Sequence, residues 1–80
     1  MKVFKLNDVY SVVCDTKNTR NGFKHEATLL KNSFEVFKTK INYLNRTWER
    51  FEYERILYKI VNDYFDNSES IKYKEIIKQF

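Results

Sequence analysis

The chain has 80 residues, 42% hydrophobic and 32% charged, with one glycine, one cysteine and no proline. A chain of this length buries only about 60–65% of its unfolded surface, which leaves little room for a deep substrate pocket and favours docking or self-association as a source of further burial. The lone cysteine excludes an internal disulfide and a multi-cysteine zinc site, and the net charge of +4 is uneven: residues 1–46 hold nine Lys/Arg against four Asp/Glu, residues 47–80 six against seven, so the first half favours an acidic or polyanionic partner.

The start MKVFKLNDVY carries Lys5, Asn7 and Asp8 where a signal peptide needs an apolar run. No apolar stretch nears the ~20 residues of a membrane span, so a protein of the cytoplasm that does not enter a membrane is expected. Without Pro/Gly-rich linkers or repeats, residues 1–80 are expected to form one domain. Lys2–Leu6 reads as an edge strand turning at Asn7-Asp8. Val9–Cys14, rich in β-branched residues, reads as the next strand. In Arg20–Phe23 the pair Asn21-Gly22 suits a type I′ turn, and a two-residue loop there pairs Arg20 with Phe23 and Cys14 with Leu29. A second turn at Lys31–Phe34 sets Val36 opposite Leu29. Cys14, Ala27 and Leu29 then share an inner face, and Val9, Val13 and Leu30 the other. From Phe34 to Leu44 the alternation changes phase, which predicts a β-bulge near Val36–Phe37.

The second half reads as helix. Asn45 or Thr47 suits an N-cap, Glu49 and Glu52 complement the helix dipole as a solvated face, and Trp48–Phe65 spans about 27 Å. Asp66–Ser70 breaks the helix, and residues 71–80 form a short second one. The expected fold is therefore α+β: a three- to four-stranded antiparallel meander over residues 1–44, one long helix over 45–65 packed on it, and a short C-terminal helix over 71–80.

On a helical wheel Tyr53, Ile56, Leu57, Ile60, Val61 and Tyr64 form the apolar stripe. Phe51 and Tyr58 lie on its flank, with Trp48 and Arg55 further round. Trp, Tyr and Arg are the residue types that dominate interface hot spots, so Trp48, Phe51, Arg55 and Tyr58 are candidate partner-binding residues; the opposing reading makes Trp48 a plug for the end of the sheet. Around the hairpin tip Lys17, Arg20 and Lys24 are candidate contacts for an acidic partner or nucleic acid, with Phe23 placed to stack on a base and Lys38 and Lys40 on one face of the next strand.

Catalysis is not expected. Cys14 and His25 are the only candidates for a nucleophile–base dyad, and the register above separates them by about 13 Å at ~3.3 Å per residue, whereas such a dyad needs hydrogen-bond contact. Cys14 reads as a small buried residue and His25 as a surface or edge residue. Glu49, Glu52 and Glu54 lack a histidine partner, and one glycine makes no phosphate-binding loop. Neither a cofactor nor a metal is expected.

The segment NRTWERFEYE (Asn45–Glu54) after KTKINYL resembles small, mostly uncharacterised phage and mobile-element proteins over roughly residues 36–65. Such proteins resemble the pool of anti-CRISPR and other anti-defence inhibitors. The resemblance implies a protein of the host-cell cytoplasm that binds a host protein or ribonucleoprotein complex, CRISPR–Cas among the candidates, without catalysis. The alternative is a small basic DNA- or RNA-binding accessory or regulatory protein, and a third reading is a self-associating module such as a homodimer.

Overall fold

A computed structural model describes residues 1–80. Four strands, β1 (Lys2–Lys5), β2 (Tyr10–Thr19), β3 (Gly22–Lys31) and β4 (Phe34–Tyr43), form an antiparallel sheet in sequential order. Two helices follow, α1 (Arg50–Tyr64) and α2 (Asn67–Ile77). Both pack on the same face of the sheet. Between the layers lie Val12, Cys14, Ala27 and Leu29 from the strands and Ile56, Leu57, Ile60 and Val61 from α1, with Phe65, Tyr73 and Ile77 closing one end. No helix is long and apolar enough to cross a membrane.

The turn chemistry explains the register. Asn7 Oδ1 accepts from the backbone N–H of Val9 and Tyr10 and closes the β1–β2 turn. Asn32 and Ser33 both have positive φ, so the β3–β4 turn adopts the primed geometry that suits the strand twist even without glycine. The β2–β3 turn corrects the expectation. Thr19 pairs with Gly22 and the loop residues are Arg20 and Asn21, both with negative φ. Gly22 takes φ +144°, and a Cβ there would lie 2.8 Å from the Tyr43 carbonyl oxygen. The glycine serves the close approach of β4's end, not the centre of a primed turn. Cys14 consequently faces Ala27 rather than Leu29. The shift is two residues, so the inner-face set is unchanged.

The phase change in β4 is a bulge, as expected. Leu30 pairs with Glu35 and Leu29 with Phe37, leaving Val36 as the extra residue. Phe37, Thr39, Ile41 and Tyr43 then alternate inward. Phe37 takes the place opposite Leu29 that the unbulged register gives to Val36, which is exposed.

The helices depart from their expected bounds. α1 begins at Arg50, not before Trp48, and neither Asn45 nor Thr47 caps it: the N-cap is Glu49, which makes no side-chain cap bond. α2 begins four residues early because Asp66 caps it, accepting from the Glu69 N–H at 2.9 Å. The lengths are fifteen and eleven residues rather than one long helix and one short.

Candidate functional site

Two regions concentrate polar chemistry: a buried histidine under the start of α1, and the sheet face that no helix covers.

His25 is the main correction to the sequence reading. It is 2% exposed, not a surface residue. It has the same strand parity as Ala27 and Leu29, so it points inward, where the segment entering α1 covers it. Its Nε2 lies 3.1 Å from the Asn45 carbonyl oxygen, and its Nδ1 lies 3.1 Å from Glu52 Oε2. Glu52 is 4% exposed, against the expectation of a solvated face; both of its carboxylate oxygens are buried and neither makes a hydrogen bond of good geometry. A carbonyl only accepts, so Nε2 carries a proton.

The imidazole is also one layer of an aromatic column. Tyr43 stacks on it at 5.2 Å between centroids and Trp48 at 4.0 Å, and Tyr53 stacks on Trp48 at 4.5 Å, all within 16° of parallel. Phe4 continues the row from Tyr53 at 5.5 Å, with Lys2 Nζ over both rings. Trp48 Nε1 donates to Thr16 Oγ1 at 2.6 Å. Burial, followed by the Glu52 carboxylate beside it, raises the Tyr43 phenol above its ordinary value, and burial likewise raises Tyr53.

This arrangement divides the four aromatic-flank candidates. Trp48 is half-buried in the column and Tyr58 half-buried against the core, while Phe51 and Arg55 are exposed. Arg55 lines a cavity of about 10 Å³ with His25, Ile41, Tyr43 and Glu52. The four do not form one continuous exposed patch.

Cys14 is inward and buried, and desolvation pushes its thiol up to about 12 against a pull downward from Lys2. It lies nearer His25 than the expected register allowed, since its partner Ala27 is only two residues from His25. Both imidazole nitrogens are nevertheless engaged by Asn45 and Glu52. Cys14 is expected to resist a thiol reagent such as DTNB at pH 8 in the folded protein and to react at once in denaturant. A raised thiol pKa contributes stability that is complete below the unfolded value of about 9 and is lost as pH rises toward about 12. Melts between pH 8 and 11 are therefore expected to show falling stability, with Cys14→Ala reducing the slope.

The uncovered sheet face carries Lys5, Lys17, Lys24, Lys38 and Lys40 by strand parity, with Val3, Val13 and Leu30 among them. Glu26 sits on this face and binds Lys17 at 3.3 Å and Lys24 at 3.2 Å. Desolvation works to raise the Glu26 carboxyl, but the hydrogen bonds and charges of Lys24 and Lys17 outweigh it and hold the group below its ordinary value. Two of the three hairpin-tip candidates are thus already engaged within the chain, whereas Arg20 is exposed and has no ion pair. Phe23 does not share the lysine face. It points to the helix side and lines a shallow depression with Arg20, Asn21, Asn42 and Tyr43.

Compared with protein-family models, with curated proteins and with solved structures, the chain matches none.

Proposed function

We propose that the chain is a non-catalytic binding module that docks its lysine-bearing sheet face and the adjoining hairpin tip on an acidic surface of a host protein or ribonucleoprotein complex. One observation carries the reading: both helices cover one face of the sheet, and the other is left open with five lysines on it. A face of mixed lysine and aliphatic residues suits an acidic protein surface, where charge steers encounter and the aliphatic groups are buried on contact. The setting, inhibition of a host defence machine such as CRISPR–Cas in the host cytoplasm, comes from the resemblance of residues 36–65 to small phage and mobile-element proteins.

A second reading, a DNA- or RNA-binding accessory protein, is favoured by the grouping of Phe23 with Arg20, Asn21 and Asn42 at the tip. Base stacking needs exposed rings. The open face offers none, because the column and the core take up most of the aromatic residues.

The test is a tagged pull-down from bacterial lysate, with and without nuclease, using wild type and a Lys17→Gln/Arg20→Glu variant. Lys24 is left in place so that Glu26 keeps one of its two lysine partners when Lys17 is replaced. Wild type is expected to retain a protein partner after nuclease treatment. The variant is expected to bind that partner about tenfold more weakly at low salt, with the difference shrinking at high salt, because exposed charges are screened beyond ~10 Å at 0.1 M. Recovery of nucleic acid alone favours the second reading.

A further inference from the structure

The sheet has two unequal edges. β1 is four residues long, and β4 is ten. β4 pairs only with β3, and none of the chain's other backbone hydrogen bonds reaches residues 34–43. The outward N–H and C=O groups of alternate β4 residues therefore have no partner within the chain. Such an edge is a template for another strand. Its side chains say which strand. Lys38 and Lys40 stand two residues apart on the open face. Arg55 stands on the helix side, beside Ile41 and Tyr43. Neither Lys40 nor Arg55 has an ion pair, and Lys38 has only a loose contact with Glu35 at 3.7 Å. At the two ends Phe34 and Leu44 are 76% and 82% exposed.

We infer that the β4 edge takes an extended acidic segment of a partner protein as a fifth strand, an inference that rests on the binding-module reading and names the element that binds. Backbone pairing supplies affinity in this mode and alternate side chains supply selectivity. Carboxylates two residues apart on the added strand meet Lys38 and Lys40, because directly opposed residues bring their Cβ atoms within about 4.5–5.5 Å. Apolar residues flanking them cover Phe34 and Leu44. A second copy of the chain fits worse. Antiparallel overlap of the whole Phe34–Leu44 edge sets each Lys38 opposite the other copy's Lys40, and like charges directly opposed are destabilising.

The test titrates the 15N-labelled full chain with three capped nonapeptides: one alternating valine and glutamate, one with lysine for glutamate, and the glutamate peptide N-methylated at alternate backbone amides. The glutamate peptide is expected to shift and protect from exchange the amides of residues 37–43, and to bind at least about tenfold more tightly than the other two. The Lys38→Glu/Lys40→Glu variant is expected to reverse the preference between the glutamate and lysine peptides. Equal binding by the N-methylated peptide, or shifts confined to residues 17–24, overturns the edge proposal while leaving a cationic docking face in place. Absence of binding by every peptide overturns the edge proposal as well. The cationic docking face itself falls only if the pull-down also yields no protein partner that depends on Lys17 and Arg20. Concentration-dependent dimerisation of the free chain through β4 assigns the edge to a second copy and overturns the acidic partner.

Discussion

Replacing His25 by phenylalanine is expected to destabilise the protein by about 3–5 kcal/mol, the cost of removing one partner from a buried pair and leaving a carboxylate without it. The phenylalanine ring keeps its place between Tyr43 and Trp48, so the loss isolates the hydrogen bonds from the stack. Glu52 would then lie 4% exposed without the imidazole that stands 3.1 Å from its Oε2. Glu52→Leu alone is expected to be milder but still costly, because the imidazole loses its acceptor at Nδ1. The double variant His25→Phe/Glu52→Leu is expected to recover much of the loss, since replacing both partners by apolar groups removes the unpaired buried charge. Urea melts of the four proteins complete a double-mutant cycle. Against a typical domain stability of 5–15 kcal/mol that is a large share, so the urea midpoint of His25→Phe should fall well below that of wild type. If each single variant loses less than about 1 kcal/mol, or if their losses simply add, His25 and Glu52 are not coupled in the folded protein.

The same pair shows what the sequence can and cannot reveal. The meander is legible because alternation and turn residues are local. Asn32-Ser33 closes a primed turn and the break in alternation marks the bulge at Val36. Gly22 misleads by one position because the turn rule reads it as a turn centre, whereas its backbone is needed for the approach of Tyr43. His25 carried an unused signal: the parity that sends Ala27 and Leu29 inward sends His25 inward too. Glu52 lies next to Ile56 on the helical wheel, at the margin of the apolar stripe, and so was within reach of the core. That the two would meet follows only from how the segment after β4 crosses the sheet, and no local pattern encodes that path. The lysine face was legible in part. Lys38 and Lys40 read as one face, but the capture of Lys17 and Lys24 by Glu26 depends on cross-strand register.

Trp48→Ala is expected to cost about 3 kcal/mol, close to the value for Leu57→Ala, although Trp48 lies outside the apolar stripe of α1. Leu57 is 1% exposed, and truncating a buried leucine costs about 2–5 kcal/mol through lost transfer energy and the cavity left behind. Trp48 is only half-buried, which lowers its burial contribution. Its substitution, however, also removes the stacks on His25 and Tyr53, each worth about 0.5–1.5 kcal/mol, and the donor to Thr16 Oγ1, worth about 1 kcal/mol net. Phe51 is exposed at 57%, so Phe51→Ala should stay within about 0.5 kcal/mol of wild type, and half-buried Tyr58 should fall between. Two controls separate the contributions. Trp48→Phe keeps a ring in the column and loses the hydrogen bond; Thr16→Val removes the acceptor and leaves the ring. Both are expected to lose about 1 kcal/mol. The measurement is a set of denaturant melts on all six variants with wild type. If Trp48→Ala stays within about 1 kcal/mol of wild type, the column contributes little to the fold, and Trp48 returns to the aromatic residues available for a partner. If it melts alongside Leu57→Ala while Phe51→Ala does not, of these aromatic candidates only Phe51 remains wholly outside the core, and the search for a contact surface moves to the lysines of the open face and the edge of β4.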